Sequence, residues 1–100
     1  MKYNKLVRDK IPEIIKENGK IPKVHTASDG EYLAKLKEKL QEEVGEFLKD
    51  GNPEELADIL EAIYAIKDFK FEKEDLEAIR KSKEEERGGF KKRIILDEVT

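Results

Sequence analysis

The sequence predicts a mainly α-helical fold: an antiparallel helical hairpin, further helices around it and a minor two-stranded β element, in one domain spanning residues 1–100. Apolar residues between Leu33 and Leu48, and again between Leu56 and Ile66, recur at helical spacing. Between them, Asp50-Gly51-Asn52-Pro53 carries the chemistry that stops one helix and starts the next. Two stretches outside the helices, Ile21–Thr26 and Arg93–Leu96, are rich in β-prone residues. A chain of 100 residues has material for one domain and one core.

Each element has its own signal. Ile11 to Gly19 reads as a short helix, with Pro12 in the first turn and Gly19 as the stop. Ile21–Thr26 reads as extended, and His25 as an ordinary strand residue. Ser28-Asp29-Gly30 offers a helix cap, so a long amphipathic helix is expected from about Glu31 to Lys49. Its stripe is Leu33, Leu36, Leu40, Val44, Phe47 and Leu48. The link at Gly51 is short, so the helix from Pro53 to about Asp68 must run back antiparallel to the first. A further helix is expected from about Glu72 to Arg87, with Glu84-Glu85-Glu86 on a solvated face. Arg87-Gly88-Gly89-Phe90 ends it, and Arg93–Leu96 reads as a strand pairing with Ile21–Thr26.

Composition removes several classes of function. There is no Cys, so disulfides, thiolate zinc sites and Cys nucleophiles are absent. A single His leaves no multi-His metal site, and any metal here is held by oxygen, which means a hard ion. The net charge of −3 has the wrong sign for bulk nucleic-acid binding. No apolar run approaches the ~20 residues that span a bilayer, and Met1-Lys2-Tyr3-Asn4-Lys5 leads into no apolar leader segment. A soluble cytoplasmic protein is the expectation.

Two acidic pairs at i,i+3 spacing stand out: Glu43 with Glu46, and Glu55 with Asp58. At about 100° per residue, Glu43 and Glu46 lie at about −60° and −120° from Leu40. Glu55 and Asp58 lie at about −100° and −160° from Leu56. Both pairs flank their stripes on the same rotational side, and an antiparallel hairpin brings such flanks together. Their levels also match: Glu46 and Glu55 stand about equally far from Gly51, as do Glu43 and Asp58. With helix axes ~8–10 Å apart, the four acids can converge on one ion. Unneutralised, they repel. Oxygen ligands alone suit Mg²⁺ or Mn²⁺, and such an ion serves hydrolysis of a phosphoanhydride. A chain with 24 acidic residues also places acids on helix flanks by chance, so spacing alone leaves a solvated face equally open. Asp58 and Glu61 are the only charges between Leu56 and Ile66, a stretch apolar nearly all round. Such a helix is usually buried, and its carboxylates then need partners. It also needs more cover than one small chain provides, so a homo-oligomer is expected, a dimer or a dimer of dimers.

Lys39-Leu40-Gln41-Glu42-Glu43-Val44-Gly45-Glu46, followed by Glu55-Leu56-Ala57-Asp58, resembles the EExxE…ExxD signature of the all-α nucleoside triphosphate pyrophosphohydrolases. That superfamily holds MazG-like proteins, dimeric dUTPases and phosphoribosyl-ATP pyrophosphohydrolase. The opening, from Tyr3-Asn4-Lys5-Leu6-Val7-Arg8-Asp9-Lys10 to Ile11-Pro12-Glu13, is similar to its phosphoribosyl-ATP pyrophosphohydrolase-like or house-cleaning branch, as is Arg87-Gly88-Gly89-Phe90. The resemblance implies Mg²⁺-dependent cleavage of a nucleotide between its α and β phosphates, releasing pyrophosphate. By motif, the implied metal ligands are Glu43, Glu46, Glu55 and Asp58, with Glu42 orienting water.

Around these acids, Lys39 either touches phosphates or pairs with Glu43 one turn away. Arg87 and Lys91, beside the flexible Gly88-Gly89, are candidates to wrap a polyphosphate. Arg8 belongs to a second basic cluster, with Asn4, Lys5 and Lys10. Phe47 and Tyr64 are expected in the core. The competing readings are a non-catalytic helical dimerisation module and a nucleotide sensor that keeps the metal without turnover.

Overall fold

A computed structural model describes residues 3–100, so Met1 and Lys2 of the opening lie outside the described residues. Its helices are α1 (Ile11–Glu17), α2 (Asp29–Asp50), α3 (Pro53–Lys70) and α4 (Leu76–Arg87). The local chemistry explains most boundaries. The Ser28 hydroxyl accepts the Glu31 N–H and opens α2. At the other end Gly51 adopts a left-handed φ of 67° and donates its N–H to the Phe47 carbonyl at 2.7 Å. That conformation suits glycine and turns the chain within two residues. Asn52 stands at the cap position of α3 and Pro53 at its first turn, but the Asn52 side chain makes no capping hydrogen bond. The last helix begins at Leu76, four residues after the expected Glu72, because the Asp75 carboxylate accepts the Ala78 N–H at 3.0 Å.

Packing is concentrated between α2 and α3, the antiparallel hairpin. Leu33, Leu36, Leu40, Glu43 and Phe47 of α2 are all covered and form one row at spacings of three and four residues. Opposite them lie Glu55, Ile59, Ala62 and Ile66 of α3, and Phe69 meets Tyr32 edge-to-face at 4.9 Å. Val44 and Leu48 are exposed and do not belong to the seam. Only Leu36 and Ala62 are buried apolar residues, and Glu43 is the one buried charge among the described residues. Phe47 is half-buried, whereas Tyr64, expected in the core, is exposed.

The expected β element is not formed; among the described residues there is no strand. Ile21, Ile94, Ile95 and Leu96 are all exposed. Arg93 instead closes a turn on the Phe90 carbonyl with a φ of 59°. A lone pair of strands is marginal in water unless a helix face covers it, and α4 does not pack extensively on the hairpin. His25, read as a strand residue, hydrogen-bonds Glu31 at the start of α2 through Nε2 at 2.9 Å. No described helix is long and apolar enough to cross a membrane.

Candidate functional site

The turn at Gly51 brings the last two turns of α2 against the first of α3, and carboxylates gather there. Oxygens of Glu46, Asp50 and Glu55 lie within 4.8 Å of one another. Two of these were predicted from spacing. The sequence marks Asp50 only as punctuation, although its i,i+4 relation to Glu46 is visible there.

Glu55 is the most constrained member. Its Oε2 is buried without a hydrogen-bond partner. Burial pushes its carboxyl above the usual carboxylate range, and the nearby Asp50 charge adds to the effect. A buried acceptor facing two further acids is a place where a cation relieves both the missing partner and the repulsion. The donor set is all oxygen, which fits a hard divalent ion.

The two remaining predicted ligands are neutralised by side chains of the protein. Glu43, 8% exposed in the α2–α3 seam, pairs with Lys39 at 3.1 Å. Asp58 accepts from Arg8 Nη2 at 2.7 Å, and Arg8 Nη1 lies 3.8 Å from Glu61. The four predicted acids therefore divide, with Glu46 and Glu55 in the cluster at the turn and Glu43 and Asp58 ion-paired one helical turn further along. Glu42 accepts from Lys5 Nζ at 2.9 Å, and Lys39 lies 3.6 Å away. The Lys5 hydrogen bond, with the Lys39 charge, holds the Glu42 carboxyl below its usual range. Of the two readings for Lys39, the structure displays the pairing with Glu43.

Segment 4–10 lies along this acidic face. Besides Lys5 and Arg8, the Asn4 carbonyl accepts from Lys35 Nζ at 2.8 Å. Between the segment and α2 is a cleft of about 470 Å³ lined by Lys5, Lys35, Lys39, Glu42, Gly45 and Glu46 among others. Lys35 carries no motif of its own in the sequence. Its position one turn before Lys39 was the available signal. Arg87 and Lys91 are exposed at the end of α4, and neither forms an ion pair among the described residues.

No family model matches this chain. A protein of Mycolicibacterium smegmatis (strain ATCC 700084 / mc(2)155), described as uncharacterized, is 56% identical over 41 residues. The matched stretch covers 41% of this chain and 42% of that protein's length. No solved structure matches.

Proposed function

We propose that the protein is a Mg²⁺-dependent nucleotide pyrophosphohydrolase, cleaving a nucleoside triphosphate or phosphoribosyl nucleotide between its α and β phosphates and releasing pyrophosphate. The observation that carries the reading is the convergence of Glu46, Asp50 and Glu55 at the hairpin turn, around a buried carboxylate oxygen with no partner. The EExxE…ExxD resemblance supplies the reaction. Glu46, Asp50 and Glu55 would hold the ion, with Glu43 and Asp58 in the next turn able to join once released from Lys39 and Arg8. When bound, Mg²⁺ or Mn²⁺ neutralises phosphoryl charge and acidifies a coordinated water. Glu42, kept ionised by Lys5, is the acceptor that orients water, and the lysines of the cleft contact phosphate oxygens.

The protein acts as a homo-oligomer in the cytoplasm on this reading. Leu56, Leu60 and Tyr64 form one exposed row on α3, the side turned away from α2. Pairing of Glu43 and Asp58 with internal cations favours a second reading, a non-catalytic module whose acids are already neutralised. Pyrophosphate release from a panel of phosphoribosyl-ATP, dUTP and damaged triphosphates separates the two. Release is expected with Mg²⁺ or Mn²⁺, poorly with Ca²⁺, and not in excess chelator. Full release in chelator overturns the metal site, and no release from any substrate favours the non-catalytic module.

A further inference from the structure

We propose that Lys5 and Arg8 are exchangeable counter-ions of the acidic face: each holds a carboxylate until a divalent ion and a polyphosphate enter together, when Asp58 turns to the ion, Glu42 turns to water beside it and the two cations pass to the phosphates. The proposal rests on the reading of this face as a metal site and adds how that site is kept and filled.

The charges balance pairwise. Lys5 meets Glu42 at 2.9 Å, Arg8 meets Asp58 at 2.7 Å and Lys39 meets Glu43 at 3.1 Å. An ion arriving alone and drawing Asp58 from Arg8 leaves the guanidinium only the more distant Glu61, 3.8 Å away. A polyphosphate arriving alone meets carboxylates as well as lysines. A metal–polyphosphate pair brings both signs and leaves every group partnered. The guanidinium is suited to the second half of the exchange, since it binds phosphate as readily as carboxylate and often through two hydrogen bonds.

The segment is also built to move at small cost. Both ion pairs are half-exposed, with side-chain exposures of 53% and 39% for Arg8 and Asp58, and such pairs contribute little to stability. Residues 4–10 lie outside the helices and are tied to α2 through Lys5 and the Lys35–Asn4 bond, so release requires no helix to unwind. Lys5 already lines the cleft that contains Glu46, so a short swing carries its ammonium from Glu42 to a phosphate in the same space.

The test measures binding of Mn²⁺ alone, and of tripolyphosphate in the presence of saturating Mn²⁺, by calorimetry on the full chain and on Arg8→Gln. Opposite signs are expected. Arg8→Gln frees Asp58 and should bind Mn²⁺ alone about threefold to tenfold tighter, while its affinity for tripolyphosphate falls about tenfold, within the usual span of coupled binding. Loss of both affinities means that Arg8 is structural and overturns the exchange, as does a variant equal to the parent in either measurement. If neither chain binds Mn²⁺, the metal-site reading falls and the exchange with it. Failure of the exchange while the parent still binds Mn²⁺ leaves the metal-site reading intact. Limited trypsin digestion of the unmodified chain gives a second readout that needs no variant. Cleavage after Lys5, relative to cleavage after the exposed Lys20, should stay unchanged with Mn²⁺ alone and slow when tripolyphosphate is added with Mn²⁺. A ratio that does not move with the two together overturns the proposal.

Discussion

Glu43 puts a carboxylate into a packing seam. It occupies the position where the three-and-four alternation of Leu33, Leu36, Leu40 and Phe47 calls for an apolar residue, and it is buried there. A leucine at this position would gain roughly 1.5–3 kcal/mol of burial and lose a lysine pair worth at most about 1 kcal/mol. Glu43→Leu should therefore melt higher than the parent, by an increment of about 1–2 kcal/mol, while losing metal-dependent pyrophosphate release. A lower melting temperature would mean that the Lys39 pair, not the seam, decides the position. Glu55 and Glu42 give opposite pH responses. The Glu55 carboxyl is raised, so between the ordinary carboxylate value and its folded value the folded chain carries more protons than the unfolded one. Stability in metal-free buffer should fall as pH rises through that window. The Glu42 carboxyl is lowered, so its contribution is present above the ordinary value and is lost as pH falls through the folded one. Glu55→Gln should remove the first dependence and Glu42→Gln the second in melts followed across pH. Identical profiles in all three chains would contradict both assignments.

At the level of elements, what was legible followed local chemistry. Ser28, Gly51 and Pro53 announce the ends of α2 and α3, and these ends are where expected to within two residues. The face of each helix was less legible. Val44 and Leu48 join the stripe on hydropathy alone, yet Glu43 takes the inward position. Hydropathy cannot reveal a seam that contains a carboxylate. The start of α4 was misplaced because Glu72-Lys73-Glu74-Asp75 is all charged and only the structure shows which acid caps. The acidic pairs were legible from spacing; their division was not, since Arg8 reaches Asp58 across 50 residues. The β pair failed for want of a partner surface. The division of faces also decides which residue tests assembly. Ile63 is half-buried against α2, so an acidic residue there would damage the hairpin itself. Leu60, 49% exposed, lies in the outward row, and Leu60→Asp should leave helix content near that of the parent while shifting sedimentation to the monomer. A parent that sediments as a monomer at micromolar concentration would remove the oligomer from the proposed function.

As a whole molecule, the single chain is open for its length. Its radius of gyration is 18.0 Å, against about 13 Å for a compact chain of this length. Its accessible surface is 9491 Å², about 1.6 times what a folded monomer of 11.6 kDa exposes. The excess on one chain is larger than the roughly 1,000–2,500 Å² that each partner of an obligate interface buries. Much of it is apolar: Leu48, Leu56, Leu60 and Tyr64 on the hairpin, Phe90, Ile94, Ile95 and Leu96 on the tail. In the proposed homo-oligomer folding is tied to association, and stability then depends on protomer concentration. Each tenfold dilution should weaken the assembly by about 1.4 kcal/mol, so the melting temperature should fall steadily with dilution in the parent. In Leu60→Asp the melt should be lower and independent of concentration. The tail is expected to respond with the body, because its apolar residues have no cover within one chain: trypsin cleavage after Arg87 should be slow at high concentration and quicken on dilution. A melting temperature that stays constant over a hundredfold dilution, with sedimentation as a monomer throughout, would show that this open chain is stable alone and that the outward row of α3 is an ordinary surface.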